Sequence, residues 1–186
     1  MDALALLLGR ESALRLEPPG PTPEELDVML GSAVRAPDHG RLRPWRFVIV
    51  PEERRERLGE VMAEAMRRRE PGASVDALQR ERDKAMRAPL IVVVAARIQK
   101  GHKIPEVEQL CSAAAAAENI MLAAHAQGYG GMWKTGAAAY DAGVKDALGL
   151  SVDDEIVAFI YLGTRVGGGS PALRPAARDH VSVWQG

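Results

Sequence analysis

The sequence contains a single cysteine, Cys111, among its 186 residues. One cysteine cannot form an intramolecular disulfide, so the small secreted folds that depend on disulfide frameworks are excluded. The chain begins Met-Asp with no basic leader before an apolar segment, which predicts no secretory signal. A reducing compartment suits such a chain, and we expect it to be cytoplasmic.

An excess of charge of one sign is also lacking. The sequence has 24 lysines and arginines against 25 aspartates and glutamates, for a formal net charge of -1. No global positive field is available to hold nucleic acid or an anionic membrane. The densest basic run, residues 67–69, ends a predicted amphipathic helix and is interpreted as a solvated helix end. We therefore expect no nucleic acid and no membrane as partners.

Long uninterrupted hydrophobic runs are missing as well. The most apolar long stretch, residues 110–127, carries polar side chains at Ser112, Glu118, Asn119, His125 and Gln127. Their presence argues against a membrane span and favours a buried helix.

Motifs for hydrolysis, nucleotide loops and metal binding are not found. The sequence has no GxSxG, GxxxxGK[ST], HExxH or paired CxxC. The histidines are scattered without the spacing of metal ligands, at His39, His102, His125 and His180. A glycine run at residues 167–169 follows a strand but precedes no helix, so a linker is favoured over a dinucleotide-binding loop.

What the sequence does contain is an alternation of helix and strand patterns over one domain, residues 1–186. Capping signals at Asp2, Thr22 and Asp141 predict three helix starts. The predicted helices cover residues 2–9, the segment after Thr22, the segment from Leu58 to Met66, about 75–87, 106–127 and a short stretch before Gly149. The predicted strands are 46–50, 90–96, 131–134 and 156–162, and the chain from Gly163 onward is expected to be loop-like.

Three of these elements carry predictions about burial. In the second helix, one buried stripe is expected from Leu26, Met29, Leu30, Ala33 and Val34. The strand 90–96 has the unbroken apolarity of a central strand covered on both faces. The helix 106–127 is rich in alanine and apolar on many faces, which permits close packing of a neighbouring helix, and Cys111 is expected to be buried in it.

Small basic and hydroxyl clusters lie at the ends of these elements. Arg10 and Ser12 can offer a guanidinium fork and a hydroxyl to a phosphate, although surface solvation or a turn cap is the better explanation of such a pair in isolation. Arg35 and His39 follow the second helix, where Pro37 forces the chain out of helical geometry. An arginine that pairs with the helix dipole is the alternative for Arg35.

Taken together, the clusters resemble the nitroreductase family from end to end. The matching motifs are Arg10-x-Ser12, Arg35-Ala36-Pro37, Pro44-Trp45-Arg46-Phe47, Gly130-Gly131-Met132-Trp133 and Leu162-Gly163-Thr164. Within the family, the similarity is greatest to the YdjA-type NAD(P)H nitroreductases, in MDAL, RAPDH, AQGxGG and YLGT. The resemblance covers roughly the first nine tenths of the chain.

This resemblance implies an α+β, nitroreductase-like FMN-binding fold, with a central mixed or antiparallel sheet flanked by helices and two intertwined subunits. It implies a homodimer with flavin mononucleotide (FMN) sites at the subunit interface, and the tail 164–186 is expected to contact the partner subunit. The residues that it assigns to FMN binding are Arg10, Glu11, Ser12, Arg35, His39, Trp133, Lys134, Thr135 and Arg174. Arg35 and His39 would complete the site of the neighbouring subunit.

The implied activity is transfer of hydride from NADH or NADPH through FMN N5 to a nitroaromatic or quinone-like acceptor, with no catalytic side chain and no metal. Lys134 is a candidate for stabilising the reduced ring, with a solvent-facing lysine as the alternative. Residues 123–128 resemble a nicotinamide-linked segment, but their apolar pattern favours a core. A flavin-binding protein without reductase activity, a flavin-dependent dehydrogenase and a flavin-fragmenting enzyme stay open.

The sequence departs from the family pattern at three positions. Leu14 stands where many members have a second basic residue. Arg41 and Arg43 stand where classical members have asparagine and glutamine before Pro-Trp. The contacts to the flavin pyrimidine edge, the NADH or NADPH preference and the electron acceptor are therefore not predicted.

Overall fold

A computed structural model describes residues 2–167 and 174–186 of the chain. The helices are α1 (Ala3–Gly9), α2 (Pro23–Ala33), α3 (Arg55–Arg69), α4 (Val75–Lys84), α5 (Glu106–Ala126) and α6 (Ala142–Ala147). The strands are β1 (Leu16–Glu17), β2 (Trp45–Val50), β3 (Leu90–Ala96), β4 (Gly130–Lys134) and β5 (Glu155–Arg165). Short 3-10 turns cover His39–Arg41, Glu52–Arg54, Ala137–Tyr140 and Ala177–His180.

The five described strands form one antiparallel sheet, which confirms the predicted α+β class. The order is β1-β5-β3-β2, and β4 also pairs with β5. At one end of the sheet, Trp45 lies opposite Ala96, and Ala96 lies opposite Glu155. Strand β5 pairs with β1, β3 and β4 and is therefore the centre of the sheet. The position of each neighbouring strand can be described by the β5 residue that lies opposite its end.

Strand β3 is buried along its whole length, as its unbroken apolar sequence predicts. Because side chains alternate across a strand, Ile91, Val93 and Ala95 enter a core with α3 on one face. Val92 and Val94 enter a second core with α2 and α5 on the other face. Helices therefore cover both faces of the sheet.

The local capping signals are confirmed. The side chain of Asp2 accepts hydrogen bonds from the first turn of α1, and that of Asp141 accepts from the backbone of Val144 in α6. Thr22 and Glu25 form a reciprocal capping box at α2, with Pro23 in its first turn. These contacts lie within a few residues in sequence, so local chemistry suffices to place the helix starts.

Four expectations about element limits and burial are wrong in detail. Val34 is exposed, because α2 ends at Ala33 and the stripe leaves the core there. Helix α4 ends at Lys84, before about residue 87. Strand β5 continues past Gly163 to Arg165, because β1 supplies hydrogen-bond partners that a loop would lack. Cys111 is exposed, on the one face of α5 that turns away from the sheet.

Candidate functional site

The segment after α1 lies against the start of β4. The amide of Ala13 donates to the carbonyl of Gly131 over 2.9 Å. A Cβ atom on Gly130 would lie 2.6 Å from Leu16 Cδ2 and 2.9 Å from Ala13 Cβ. Only glycine allows this approach, and it fixes residues 10–12 at this end of β4.

Two of the three predicted residues in this segment already form ion pairs. The Nε atom of Arg10 donates to Oε1 of Glu118 over 2.9 Å, and the Arg10 side chain is 22% exposed. Glu11 accepts from the guanidinium of Arg165. Ser12 is exposed, and its hydroxyl has no hydrogen bond to another described residue. The Arg10 fork therefore keeps its terminal N–H groups for a further acceptor.

The tail brings Arg174 to the same place. Its Nη2 atom donates to the backbone carbonyl of Arg10 in its own chain. The cluster contains three arginines, Arg10, Arg165 and Arg174, and two glutamates, Glu11 and Glu118. Its net charge is therefore +1. Beside an exposed hydroxyl, this surplus suits a single phosphate group, because guanidinium forks match phosphate oxygens. The structure thus unites four of the nine predicted residues.

The other end of β4 opens into a small cavity of about 180 Å³. Lys134 and Thr135 line it, followed by Gly136 at φ 73°, a left-handed turn that suits glycine. Across the cavity lie three charged residues at the end of α4 and beyond it, namely Glu81, Lys84 and Arg87. Sequence reasoning missed these residues, because nothing local shows that the end of α4 faces β4.

Tyr161 forms part of this cavity from β5. Burial, opposed by Arg87 and supported by Glu81, raises the pKa of Tyr161 to about 12. The phenol therefore stays protonated at neutral pH and keeps its O–H as a donor. The cavity combines this neutral donor with cations and one carboxylate, which suits a polar ring edge more than a purely apolar ligand.

Trp133 is next to Lys134 but its side chain lies on the opposite face of the sheet. Its indole packs with the α2 and α5 core, and Nε1 donates to the carbonyl of Val157 over 3.2 Å. Alternation along β4 separates the two side chains. Only the backbone of Trp133 is left to serve a ligand in the cavity.

His39 lies far from the Arg10 cluster within one chain. Its Nδ1 atom is 2.6 Å from Oε2 of Glu108, whereas Arg10 pairs with Glu118. Ten residues of α-helix separate the two glutamates, a rise of about 15 Å along α5. Arg35 lines an open groove between α1, α2 and α5. A single subunit therefore does not gather all nine predicted residues.

Two classes of feature are not found in residues 2–167 and 174–186. Side chains of histidine, cysteine, aspartate and glutamate form no group of three that could hold a metal ion. No helix is long and apolar enough to cross a membrane.

Comparisons with known proteins place the chain in a family. Residues 7–164 match the model of the nitroreductase family. The "Putative NAD(P)H nitroreductase YdjA" of Escherichia coli (strain K12) is 42% identical over 164 residues, covering 88% of both chains.

Solved structures show the same fold. A nitroreductase-like family protein from Bacillus cereus superimposes with a TM-score of 0.86 at 20% identity, over 100% of this chain and 97% of the other. The FMN and NADPH-dependent nitroreductase NfnB from Sphigopyxis, as its Y88A mutant, gives 0.80 at 19% identity, over 100% of both chains. With a family model and a close relative that both span most of its length, this chain belongs to the nitroreductase family.

Proposed function

We propose that this chain is an FMN-dependent oxidoreductase that takes hydride from NADH or NADPH and reduces nitroaromatic or quinone-like acceptors. Membership of the nitroreductase family supports this, together with the names of the YdjA and NfnB relatives. We place it in the cytoplasm, where an exposed free thiol such as Cys111 stays reduced.

One observation carries the proposal: strand β4 joins the arginine cluster around Arg10 to the polar cavity at Lys134. Arg10, Ser12 and Arg174 lie at its Gly131 end, and Lys134 and Thr135 lie at the other. Four residues of strand separate Gly131 from Thr135, a distance of about 13 Å. An elongated mononucleotide, with a phosphate at one end and a ring at the other, has the shape that this edge would hold.

The residues present fit FMN. Arg10, Ser12 and Arg174 would hold the phosphate, with Glu11 and Glu118 fixing the arginines. The ring would lie at residues 134–136, which line the cavity together with Lys84, a second cation. FMN supplies the redox chemistry, accepting hydride at N5 and passing two electrons to the acceptor.

The side chains of the cavity then have an electrostatic role. Cations at the edge of this cavity would stabilise negative charge on a bound ring, as an oxyanion hole stabilises an alkoxide. Lys134 and Lys84 are the groups we assign to this role. Glu81 pairs with Lys84 and holds its ammonium group at the cavity edge.

We propose a homodimer on the evidence of α1. This seven-residue helix buries none of its residues, and Leu4, Leu7 and Leu8 are 69%, 54% and 78% exposed. A helix this short is unstable in water without packing. A second copy of the chain, covering α1 and the groove beside it, would supply that packing.

Further apolar side chains on the same molecule support a large interface. Exposed ones occur at the start of α5, around α2 and in the tail, at Val107, Leu110, Val28, Val34, Val181, Val183 and Trp184. Isolated exposed apolar side chains are ordinary, but those on the contacting helices α1, α2 and α5 mark an interaction surface. In such a dimer, His39 would reach the site of the partner, since its own chain holds it apart from Arg10. Arg35 lines the groove that the second copy would cover.

The experiment that tests the function is anaerobic spectroscopy of purified protein. We expect a flavin absorbance near one equivalent per subunit, bleaching on addition of NADH or NADPH, and recovery of colour with a nitroaromatic or quinone. Heat denaturation should release FMN to the supernatant. Recovery of FAD, or no flavin after reconstitution, would contradict the proposal.

The same experiment separates the other functions that the sequence left open. Flavin that neither nicotinamide nucleotide bleaches would indicate a binding protein. Reduced flavin that is consumed in air, with loss of the FMN peak in chromatography, would indicate a flavin-fragmenting enzyme. Stoichiometric acceptor reduction with FMN recovered intact would exclude both.

A further inference from the structure

The loop between α2 and β2 holds two arginines in a backbone conformation that favours glycine. Arg41 has a φ of 55° and Arg43 a φ of 49°. Leu42 between them is right-handed, with φ -71° and ψ -22°. Left-handed residues other than glycine are uncommon and persist only where their surroundings hold them, often at functional sites.

The carboxylate of Asp38 holds this loop. Its Oδ1 atom accepts from the amide of Leu42 over 3.1 Å, and Oδ2 accepts from the amide of Arg43 over 2.8 Å. Successive residues of opposite hand turn their amides toward one point and create a concavity for an anion. Here that anion is the protein's own carboxylate, so the loop is preorganised and needs no ligand for its backbone.

The arginine side chains are free for a ligand. Arg41 and Arg43 are exposed, and neither forms an ion pair with any residue in 2–167 or 174–186. Arg46 and Arg97 extend the patch: Nη1 of Arg46 donates to the carbonyl of Arg43 over 3.3 Å. The amide of Arg97 donates to the carbonyl of Pro44 over 2.7 Å. These two arginines also lack a described ion-pair partner.

The patch is electrostatically unbalanced. Partial burial and then the neighbouring Arg97 lower the pKa of Arg46, and the carboxylate of Asp154 opposes them. The patch thus contains four guanidinium groups but two carboxylates, Asp38 at the loop amides and the buried Asp154 near Arg46. In a chain whose net charge is -1, such a patch requires a local reason, and binding of a multiply charged anion supplies one.

We propose that Arg41 and Arg43 bind the phosphate monoester that distinguishes NADPH from NADH, so that the chain prefers NADPH. The proposal rests on the proposed function, because it names the nucleotide that this function left open. Two guanidinium forks match a phosphate dianion bidentately, and the rest of the two nucleotides is identical.

Within one subunit, the loop lies far from the cavity at Lys134. Lys134 lies opposite Phe159 in β5, whereas Trp45 aligns through Ala96 with Glu155. Lys134 and Trp45 are therefore separated by three strand-to-strand spacings across the sheet and by four residues along β5. Combined, these separations give a distance of roughly 20 Å. In the proposed dimer this loop, which carries His39, lies toward the site of the partner, so a dinucleotide would place its nicotinamide at the partner's cavity and its adenosine phosphate on this loop.

The first test measures ligand binding without turnover. Adenosine 2′,5′-bisphosphate and 5′-AMP are titrated into the FMN-loaded protein by calorimetry. We expect the bisphosphate to bind at least about tenfold more tightly in the wild type, as one or two charge-assisted bonds imply. The R41N/R43N double variant should lose this preference. Asparagine tolerates left-handed φ, so the loop keeps its shape while its charges are removed.

Control variants separate the effect of the arginine charges from an effect on the loop structure. Control ligands separate binding of the adenosine phosphate from binding of the FMN phosphate. The double variant R41K/R43K should restore part of the preference, and R67N removes an exposed arginine elsewhere and should leave it unchanged. FMN and riboflavin affinities are measured in parallel. The proposal would be overturned if the wild type bound both adenosine ligands equally well. It would also be overturned if R41N/R43N lost FMN affinity but still preferred the bisphosphate.

The second test uses turnover. The ratio of kcat/KM for NADPH over NADH should fall about ten- to hundredfold in R41N/R43N and stay constant in R67N. If neither nucleotide reduces the flavin, the proposed function fails. The bisphosphate titration still decides whether the loop is a phosphate site, so the two failures are distinguishable.

Discussion

Arg10 and Glu118 form a 2.9 Å ion pair between the end of α1 and the middle of α5. The arginine that we assign to the FMN phosphate is therefore held in place by a carboxylate before any ligand binds. Only its Nε atom is used, which leaves the terminal N–H groups directed elsewhere. The glutamate positions the guanidinium, but it also competes electrostatically with a phosphate anion.

This relationship predicts opposite effects for the two partners on FMN affinity. Replacing Arg10 with alanine should weaken FMN binding by about one to two decades, the value of a charge-assisted hydrogen bond. The E118Q variant keeps an acceptor for Nε but removes the negative charge, so FMN should bind more tightly than in the wild type. Fluorescence titration of the apoprotein measures both changes.

Riboflavin is the matched ligand for this experiment, because it lacks the phosphate. Its affinity should change little in either variant. If R10A weakens riboflavin and FMN equally, Arg10 supports the fold rather than the phosphate.

A second prediction concerns the close contact at Gly130. The G130A variant places a Cβ atom against Leu16 and Ala13, and overpacking of this kind costs about 1–3 kcal/mol of stability. Because the displaced segment carries Arg10 and Ser12, FMN retention should fall with the melting temperature. A Cβ atom added at Gly72 would meet no other atom within 4 Å, so G72A should change stability by less than about 0.5 kcal/mol.

Thermal melting of the two alanine variants, with and without added FMN, checks this prediction. A G130A protein that melts like G72A and keeps its flavin would show that the N-terminal segment can move away from β4 at no cost.

A third prediction is the pH dependence of the hydrogen bond between Glu25 in α2 and Tyr129, which lies between α5 and β4. Hydrogen bonds from the Tyr129 hydroxyl, at 2.6 Å, and from the Thr22 backbone, at 2.8 Å, lower the pKa of Glu25 below its ordinary 4.5. The unfolded chain then binds this proton at a higher pH than the folded chain does. The resulting stabilisation is complete above the ordinary glutamate pKa and is lost as the pH falls through the lowered one.

The Y129F variant removes the main cause of the shift. It should melt at a lower temperature than the wild type at pH 7, and the difference should shrink as the pH falls below about 4. Melting curves from about pH 3 to pH 7 measure this. A difference that stays constant over the whole range would assign the effect of Tyr129 to packing instead.

The fourth prediction tests the interface on α1. Replacing the exposed Leu8 with glutamate should convert the homodimer to a monomer of about half the mass in sedimentation, because a charge would be buried against the second copy. Flavin retention should fall at the same protein concentrations. Val152 is 67% exposed in a turn far along the chain, and V152E should remain a dimer.

A wild-type chain that sediments as a 20.0 kDa monomer while it retains FMN and oxidises NAD(P)H would contradict the proposed assembly. A dimer that L8E leaves intact would instead place the interface on another surface.

The sequence by itself determined the features that depend on neighbouring residues. The capping box of Thr22 and Glu25, the caps at Asp2 and Asp141, and the apolar strand 90–96 were all predicted, because their hydrogen bonds or burial follow from residues a few positions apart. Family motifs likewise marked both ends of β4, since each motif is a short contiguous stretch.

Only the tertiary structure decided which distant residues meet. The pairing of β1 with β5, the Arg10–Glu118 pair and the facing of Lys84 toward Lys134 join segments roughly 50 to 150 residues apart. No local periodicity encodes such contacts, because they arise from the packing of two helical layers on one sheet.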